Sequence, residues 1–459
     1  MKKRAILSVI LLTGCVAPEV AEVPQRRAIA AEVVTSPRPM AQFAAQAPRK
    51  VARSNSAIAA DFLDLSFRME SGRAIPVFTR FEGPITVATR GAVPAAARAD
   101  LAALLTRLRS EAGLNIRPTV DAATASITIE FLPRAQMQAA VPQAACFVVP
   151  RVGSWGEFRA ARGTPKIDWT TLTTRDRATV FVPADVAPQE QRDCLHEELA
   201  QAIGPLNDLY HLSDSVFNDD NFNTVLTGFD MMVLRATYAP ELRSGMSRAE
   251  VAARLPGILA RINPAGGRGG IGPSVSTPRE WTRAIEAALT PRSSASSRRE
   301  AASRALAIAK SQGWSDNRRA FSHFVLARLT LGSEVEASVI NFAEAAQFYA
   351  RLPGGALHLA HVDMQMAAFA LNAGQYDQVS ELAQRAAPVV KREQNAAMLA
   401  TLMFLRAAAL DASGRRAEAE AIRLDSQPWA RYGFGSEAQV RARMSEVNSL
   451  ARRNSFARN

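Results

Sequence analysis

Three glycines in the second half of the chain, Gly332, Gly374 and Gly414, fall 42 and 40 residues apart, and Ala337, Val379 and Ala419 stand five residues after them. Helical patterns lie on both sides of each glycine, with Tyr376 just past the middle one. A helix hinged to its neighbour in this way cannot bury its apolar face alone, so consecutive pairs must stack on one another. Thr277-Pro278-Arg279-Glu280 opens the region as a capping box, with proline at the first helical position of a helix running to about Leu289. Residues 277–459 are therefore expected to form one all-helical domain. Residues 263–276, with Gly266-Gly267-Arg268-Gly269-Gly270-Ile271-Gly272-Pro273, read as a linker. No Gly-Lys-Ser/Thr follows those glycines and no apolar strand precedes them, which excludes a phosphate cradle.

The paired pattern resembles the tetratricopeptide repeat, at a period longer than the usual ~34 residues of that family. The resemblance implies antiparallel helix pairs and a groove that holds polypeptide; a plain helical bundle is the alternative. A chain of 459 residues exceeds what one hydrophobic core serves, and residues 58–262 have a different texture. Phe81–Arg90, Ile127–Leu132, Cys146–Val152 and Ala178–Val182 read as strands. Leu101, Leu104, Leu105 and Leu108 mark a helix over 96–112 that Gly113 stops. A further helix begins at Ala187 or Pro188 and runs through Cys194 to Ile203. The expected class is α+β: a mixed α/β domain followed by an all-α helical-repeat domain.

The densest polar cluster is Glu197-Glu198-Leu199-Ala200-Gln201-Ala202-Ile203-Gly204-Pro205-Leu206-Asn207-Asp208. On a helix, positions 197 and 201 lie one above the other, and a glycine exit lets 207 and 208 swing back to that face. This resembles the metzincin zinc peptidases, and within them the matrixins, whose HExxHxxGxxH motif places two imidazoles, a catalytic glutamate and a third ligand. The resemblance puts Glu198 at the catalytic glutamate. It puts Glu197, Gln201 and either Asn207 or Asp208 at the ligand positions, and Phe217 of Ser215-Val216-Phe217 at the Met-turn. Leu226-Thr227-Gly228-Phe229-Asp230 and Leu234 to Tyr238 are similar to the closing helix. The same residues resemble a set of bacterial envelope proteins known only as a domain of unknown function. With no imidazole at the ligand places, the donors are oxygens and suit a non-zinc divalent cation better than zinc. A metal-free hydrogen-bonded network, metal-free acid/base work by Glu198, and a solvated helix face are the other readings. His196 cannot start an HExxH, because position 200 is alanine, and is expected to be partly exposed. Asn218-Asp219-Asp220-Asn221 reads as a turn rather than a calcium loop, and His323, His358 and His361 as packing or surface residues.

The first fifteen residues concern location. Met1-Lys2-Lys3-Arg4 precedes the apolar run Ala5–Leu12, too short to span a bilayer, and then Leu12-Thr13-Gly14-Cys15. That tetrapeptide resembles the lipobox of bacterial lipoproteins. It implies cleavage before Cys15, acylation of that cysteine, and, with Val16 following, an outer-membrane anchor facing the periplasm. Residues 16–57, rich in Ala, Pro, Val and Arg, are expected to be a flexible tether. Formal charge is +12; removing Lys2, Lys3 and Arg4 leaves +9, dispersed along the chain. The excess lacks the clustered pattern of nucleic-acid binding and suits an anionic membrane surface. Cys146 and Cys194 remain, and an exported chain invites a disulfide between them. The functional expectation is an envelope lipoprotein, non-catalytic, that binds an envelope protein or peptide and needs no cofactor. The alternative is a divergent metal-dependent or Glu-based peptide hydrolase with Glu198 as general base.

Overall fold

The computed structural model describes residues 40–44, 49–142, 144–270, 272–291 and 293–456; Cys15 and its lipobox lie outside them. The first unit runs α1 (Asn55–Phe67), β1 (Ile85–Gly91), α2 (Ala95–Ala112), β2 (Ile116–Pro118), β3 (Ile127–Leu132), α3 (Arg134–Ala140), β4 (Phe147–Pro150), α4 (Trp155–Ala161), β5 (Ala178–Pro183), α5 (Pro188–Ile203), α6 (Gly228–Thr237) and α7 (Arg248–Ile262). Five strands form one sheet in the order β2-β1-β3-β5-β4. Neighbours are parallel except β4, which runs antiparallel to β5 along an edge. Every residue of β3 and β5 is buried, as parallel strands covered on both faces must be. The larger core joins the sheet to α1, α2, α5, α6 and α7. Trp155 and Phe158 of α4 pack with Phe181 beneath the opposite face.

Strand limits are tighter than the sequence suggests. The first expected strand starts only at Ile85, because Gly83 and Pro84 precede it. The third ends at Pro150, where Arg151 turns into the left-handed region (φ 58°). Cys146, just outside β4, is disulfide-bonded to Cys194 of α5 as expected.

The second unit is helical throughout: α8 (Arg279–Leu289), α9 (Ala295–Ser311), α10 (Asn317–Thr330), α11 (Val335–Tyr349), α12 (Gly355–Asn372), α13 (Tyr376–Arg392), α14 (Ala396–Ala412), α15 (Arg416–Phe434) and α16 (Glu437–Phe456). Gly332, Gly374 and Gly414 sit in the turns of the pairs α10/α11, α12/α13 and α14/α15, and Gly374 and Gly414 take positive φ. Val379 and Ala419 are fully buried against the partner helix. In the first pair Ser338, not Ala337, takes that place, its hydroxyl donating to the Ala327 carbonyl. Pro278 stands at the N-cap rather than inside α8, and the Thr277 hydroxyl accepts from Arg318 instead of capping.

The stretch assigned to a tether is, from Met40 onward, laid on the body where it is described. The Ala41 amide donates to the Pro428 carbonyl, and the Phe43 ring lies 5.0 Å from that of Trp429. Arg49 pairs with Glu393, and buried Arg53 with Asp214. Helix α1, capped by Ser54, begins inside the range given to the tether. The linker touches the body at its start, where Asn263 and Gly266 are buried and a Cβ at Gly266 or Gly270 would fall within 3 Å of Asn55 and Ser54 atoms respectively, while its remaining described residues are exposed. Among the described residues no helix is long and apolar enough to cross a membrane.

Candidate functional site

Helix α5 carries the motif and is held at three levels. Pro188 opens it, where a missing N–H costs nothing. Its first turns are clasped by the α13–α14 turn: Gln189 bonds Asn395 and the Ala397 amide, and the Arg192 guanidinium donates to the Gln394 carbonyl. Cys194 ties its middle to the β4 edge. Its last turn is capped by Arg175, 4% exposed, which donates to the carbonyls of Gln201, Ala202 and Gly204 at 2.6–2.8 Å. That satisfies acceptors which a helix end leaves open and places a cation at the negative end of the dipole. Gly204 is closely packed: a Cβ there would lie 2.7 Å from Leu234 Cδ2, so that side chain would have to shift.

Past this turn the expected residues divide. Asn207 turns away, its amide donating to the Asp64 carbonyl of α1. Asp208 swings back and joins Gln201 and Glu197 around a residue the sequence did not single out, Glu70. Glu70 lies in the tight hairpin after α1, closed by the Arg68–Ala74 bridge and by Gly72 at φ +82°. Arg279 of α8 grips that hairpin by donating to the Glu70 carbonyl. The Glu70 carboxyl is hydrogen-bonded to Asp208 and accepts from Gln201 Nε2 at 3.4 Å. Desolvation, then the Asp219 and Glu197 carboxylates, push Glu70 up to about 7. The same causes, with Glu70 itself, hold Asp208 well above the carboxylate range. Two carboxyls in contact under such pressure share a proton at neutral pH. Tyr210 closes the group by donating to Asp219.

Glu198, one position from Glu197, points to the interior and is 4% exposed. His196 is buried at 5%, not partly exposed; its Nδ1 accepts the Leu226 amide, and burial pushes its pKa down, keeping the acceptor neutral. Phe217, at the Met-turn place, is fully buried in the first core, with its amide on Ser215 Oγ and its carbonyl on the Leu209 amide. Ser215 and the Val216 amide donate to Asp230, which also completes the capping box of α6 with Thr227. The residues 218–221 form a turn as read, in which Asn218 and Asp220 are buried, Asp220 against the second unit. His323, His358 and His361 are all buried too.

The three ligand places that converge thus bring two carboxyls and an amide N–H to another carboxyl. Among the described residues no group of three or more His, Cys, Asp and Glu is arranged to hold a metal ion. These donors do not fit zinc, which takes imidazole or thiolate. Nothing in local sequence marks Glu70, whose role depends on a turn meeting a distant helix; Asp219 was legible only as part of an acidic run. No curated protein and no solved structure matches the chain. Residues 55–257, from the first residue of α1 into α7, match the model of a family described as a protein of unknown function, DUF2927.

Proposed function

We propose that this is an exported, lipid-anchored envelope protein that holds polypeptide without cutting it, its first unit a peptidase-like body stripped of hydrolytic chemistry. One observation carries this reading. Glu197, Gln201 and Asp208 meet where the metzincin resemblance calls for zinc ligands, and they meet on the protonatable carboxyl of Glu70. A network that satisfies its own carboxyls by proton sharing has no need of a cation and no free base poised beside a bound water. The order of strand β5, helix α5, glycine exit and Phe217 turn supports the peptidase-like ancestry. The Cys146–Cys194 bridge supports an oxidising compartment, and Cys15 in its lipobox supports the anchor. The paired helices of the second unit support a polypeptide partner.

Purified protein starting at residue 16 is expected to contain no stoichiometric zinc by elemental analysis and to leave a peptide library intact. Cleavage that Glu198→Gln abolishes would overturn the reading in favour of a hydrolase. Cys15→Ser should move the protein from the membrane fraction to the soluble one; retention in membranes would remove the anchor.

A further inference from the structure

The groove of the second unit already holds polypeptide, and it is the chain's own. Between Tyr210 and Phe222 the chain stays in the first core at Leu212, Val216 and Phe217, while Tyr210 and the turn at 219–222 reach onto α8, α10 and α12. Phe222, 1% exposed, has its ring 4.6 Å from that of His358 and 4.4 Å from that of His361, with Phe324 edge-on at 5.2 Å. Two residues earlier, equally buried Asp220 accepts from Asn317 Nδ2 at 2.7 Å and meets His358 Nε2 at 3.2 Å. Asn317 also donates to the Tyr210 carbonyl. A carboxylate read by Asn and His, a spacer, and an aromatic ring in an aromatic pocket together let a helical surface read a short turn of polypeptide.

The fit is incomplete. His358 Nδ1, His361 Nε2, Tyr349 Oη and Asn317 Oδ1 are buried there with no hydrogen-bond partner. Buried polar atoms left unpaired cost free energy, and four at one contact mark a poorly matched interface. Asn221, between the two anchors, is forced to φ 58°, a strained setting for a residue other than glycine. Asp219 beside it faces solvent, so the occupant has an open edge from which it can peel.

We infer that the α8–α12 groove is a receptor for an acidic-x-aromatic polypeptide segment, and that residues 219–222 are its built-in, displaceable occupant. The inference rests on the reading of the second unit as polypeptide-binding and names what it binds and what keeps it shut. A partner offering the same carboxylate and ring, with polar groups that reach the four orphaned atoms, replaces the loop; without it the groove stays closed.

The test uses the mature full chain and a fluorescein-labelled peptide of residues 214–224 as probe. Asp220→Ala combined with Phe222→Ala empties the groove and should raise affinity for the probe at least tenfold over the native chain. Adding Asn317→Ala and His358→Ala, or changing the Asp and Phe anchors of the probe to Ala, should abolish the gain. A loop variant with native helix content that fails to bind, or a native chain that binds equally well, overturns the proposal. Should the loop variant unfold, hydrogen exchange on the native chain decides. Amides of 219–223 must then open at least tenfold more often than those of α10 and α12, and equal protection overturns the proposal. Neither result touches the cleavage and fractionation assays, so the two readings fail separately.

Discussion

Arg175→Met tests whether the candidate site is positioned from behind by a single buried cation. The methionine keeps most of the stem volume and removes the guanidinium that serves the Gln201, Ala202 and Gly204 carbonyls, with Nε on Thr79 Oγ1 and the Trp169 ring 5.1 Å away. Burial lowers the Arg175 pKa to about 10, so it stays charged at neutral pH. A hydrogen bond from a charged donor contributes about 1.5–3 kcal/mol, and each buried acceptor left unpaired costs about 1–3 kcal/mol. The three lost carbonyl bonds alone would cost up to about 9 kcal/mol, from which the recovered desolvation of the guanidinium, several kcal/mol, must be subtracted. The expected net loss is about 3–4 kcal/mol, read from urea denaturation followed by tryptophan fluorescence. Hydrogen exchange should place the first loosening at the end of α5 and at residues 205–209. Arg175→Lys keeps the charge but cannot reach three carbonyls at once, and should recover less than half of the loss. A loss below about 1 kcal/mol, or loosening that spares α5, would refute the argument.

Replacing Cys146 and Cys194 by alanine opens a loop of 48 residues in sequence separation, for which chain entropy gives a loss of about 4 kcal/mol. A change below about 1 kcal/mol by the same denaturation assay contradicts this. The raised pKa of Glu70 makes stability fall with pH: protonation favours the folded state below the ordinary glutamate value of 4.5, and that advantage is lost as pH rises through about 7. The urea midpoint should therefore drop between pH 5 and pH 8 in the native chain and drop less in Glu70→Gln; parallel profiles would remove the shared proton. Phe43→Ala removes the ring that packs on Trp429 and over which Arg192 sits. Trypsin should then cut after Arg49 or Lys50 several-fold faster, and an unchanged rate would mean that the strap is held elsewhere.

How much of this was legible depended on how local each feature is. The helix pairs showed themselves because a glycine at φ near +80° and a buried Val379 or Ala419 recur at fixed distance, a property of single turns. Helix α5 was legible from Pro188 to Gly204 for the same reason, as was the Cys146–Cys194 bridge, which needs only an even count and a compartment. The segment 40–54 misled because Ala, Pro and Arg look like tether when their partners, Pro428, Glu393 and Asp214, are 161 residues away or more. His196 misled because a histidine between acidic neighbours looks solvated, while its position on the helix points it at the Leu226 amide. Glu70 could not be found at all. Its character comes from burial beside Asp208 and Glu197, which a sequence separation of more than a hundred residues conceals.

One segment joins the two halves of the molecule, with Asp208 at its start in the proton-sharing pair and Phe222 at its end in the helical groove. If the turn at 219–222 leaves the groove, the Asp219 carboxylate that pushes both Glu70 and Asp208 up goes with it, and the shared proton is held less tightly at neutral pH. Linkage then requires the reverse: whatever removes that proton favours release. Binding of the 214–224 probe to the native chain should therefore strengthen from pH 6 to pH 8. Glu70→Gln, which breaks the pair without touching the groove, should flatten the dependence. Affinity that is independent of pH in the native chain, measured by anisotropy, would show that the groove and the carboxyl pair are neighbours without being coupled.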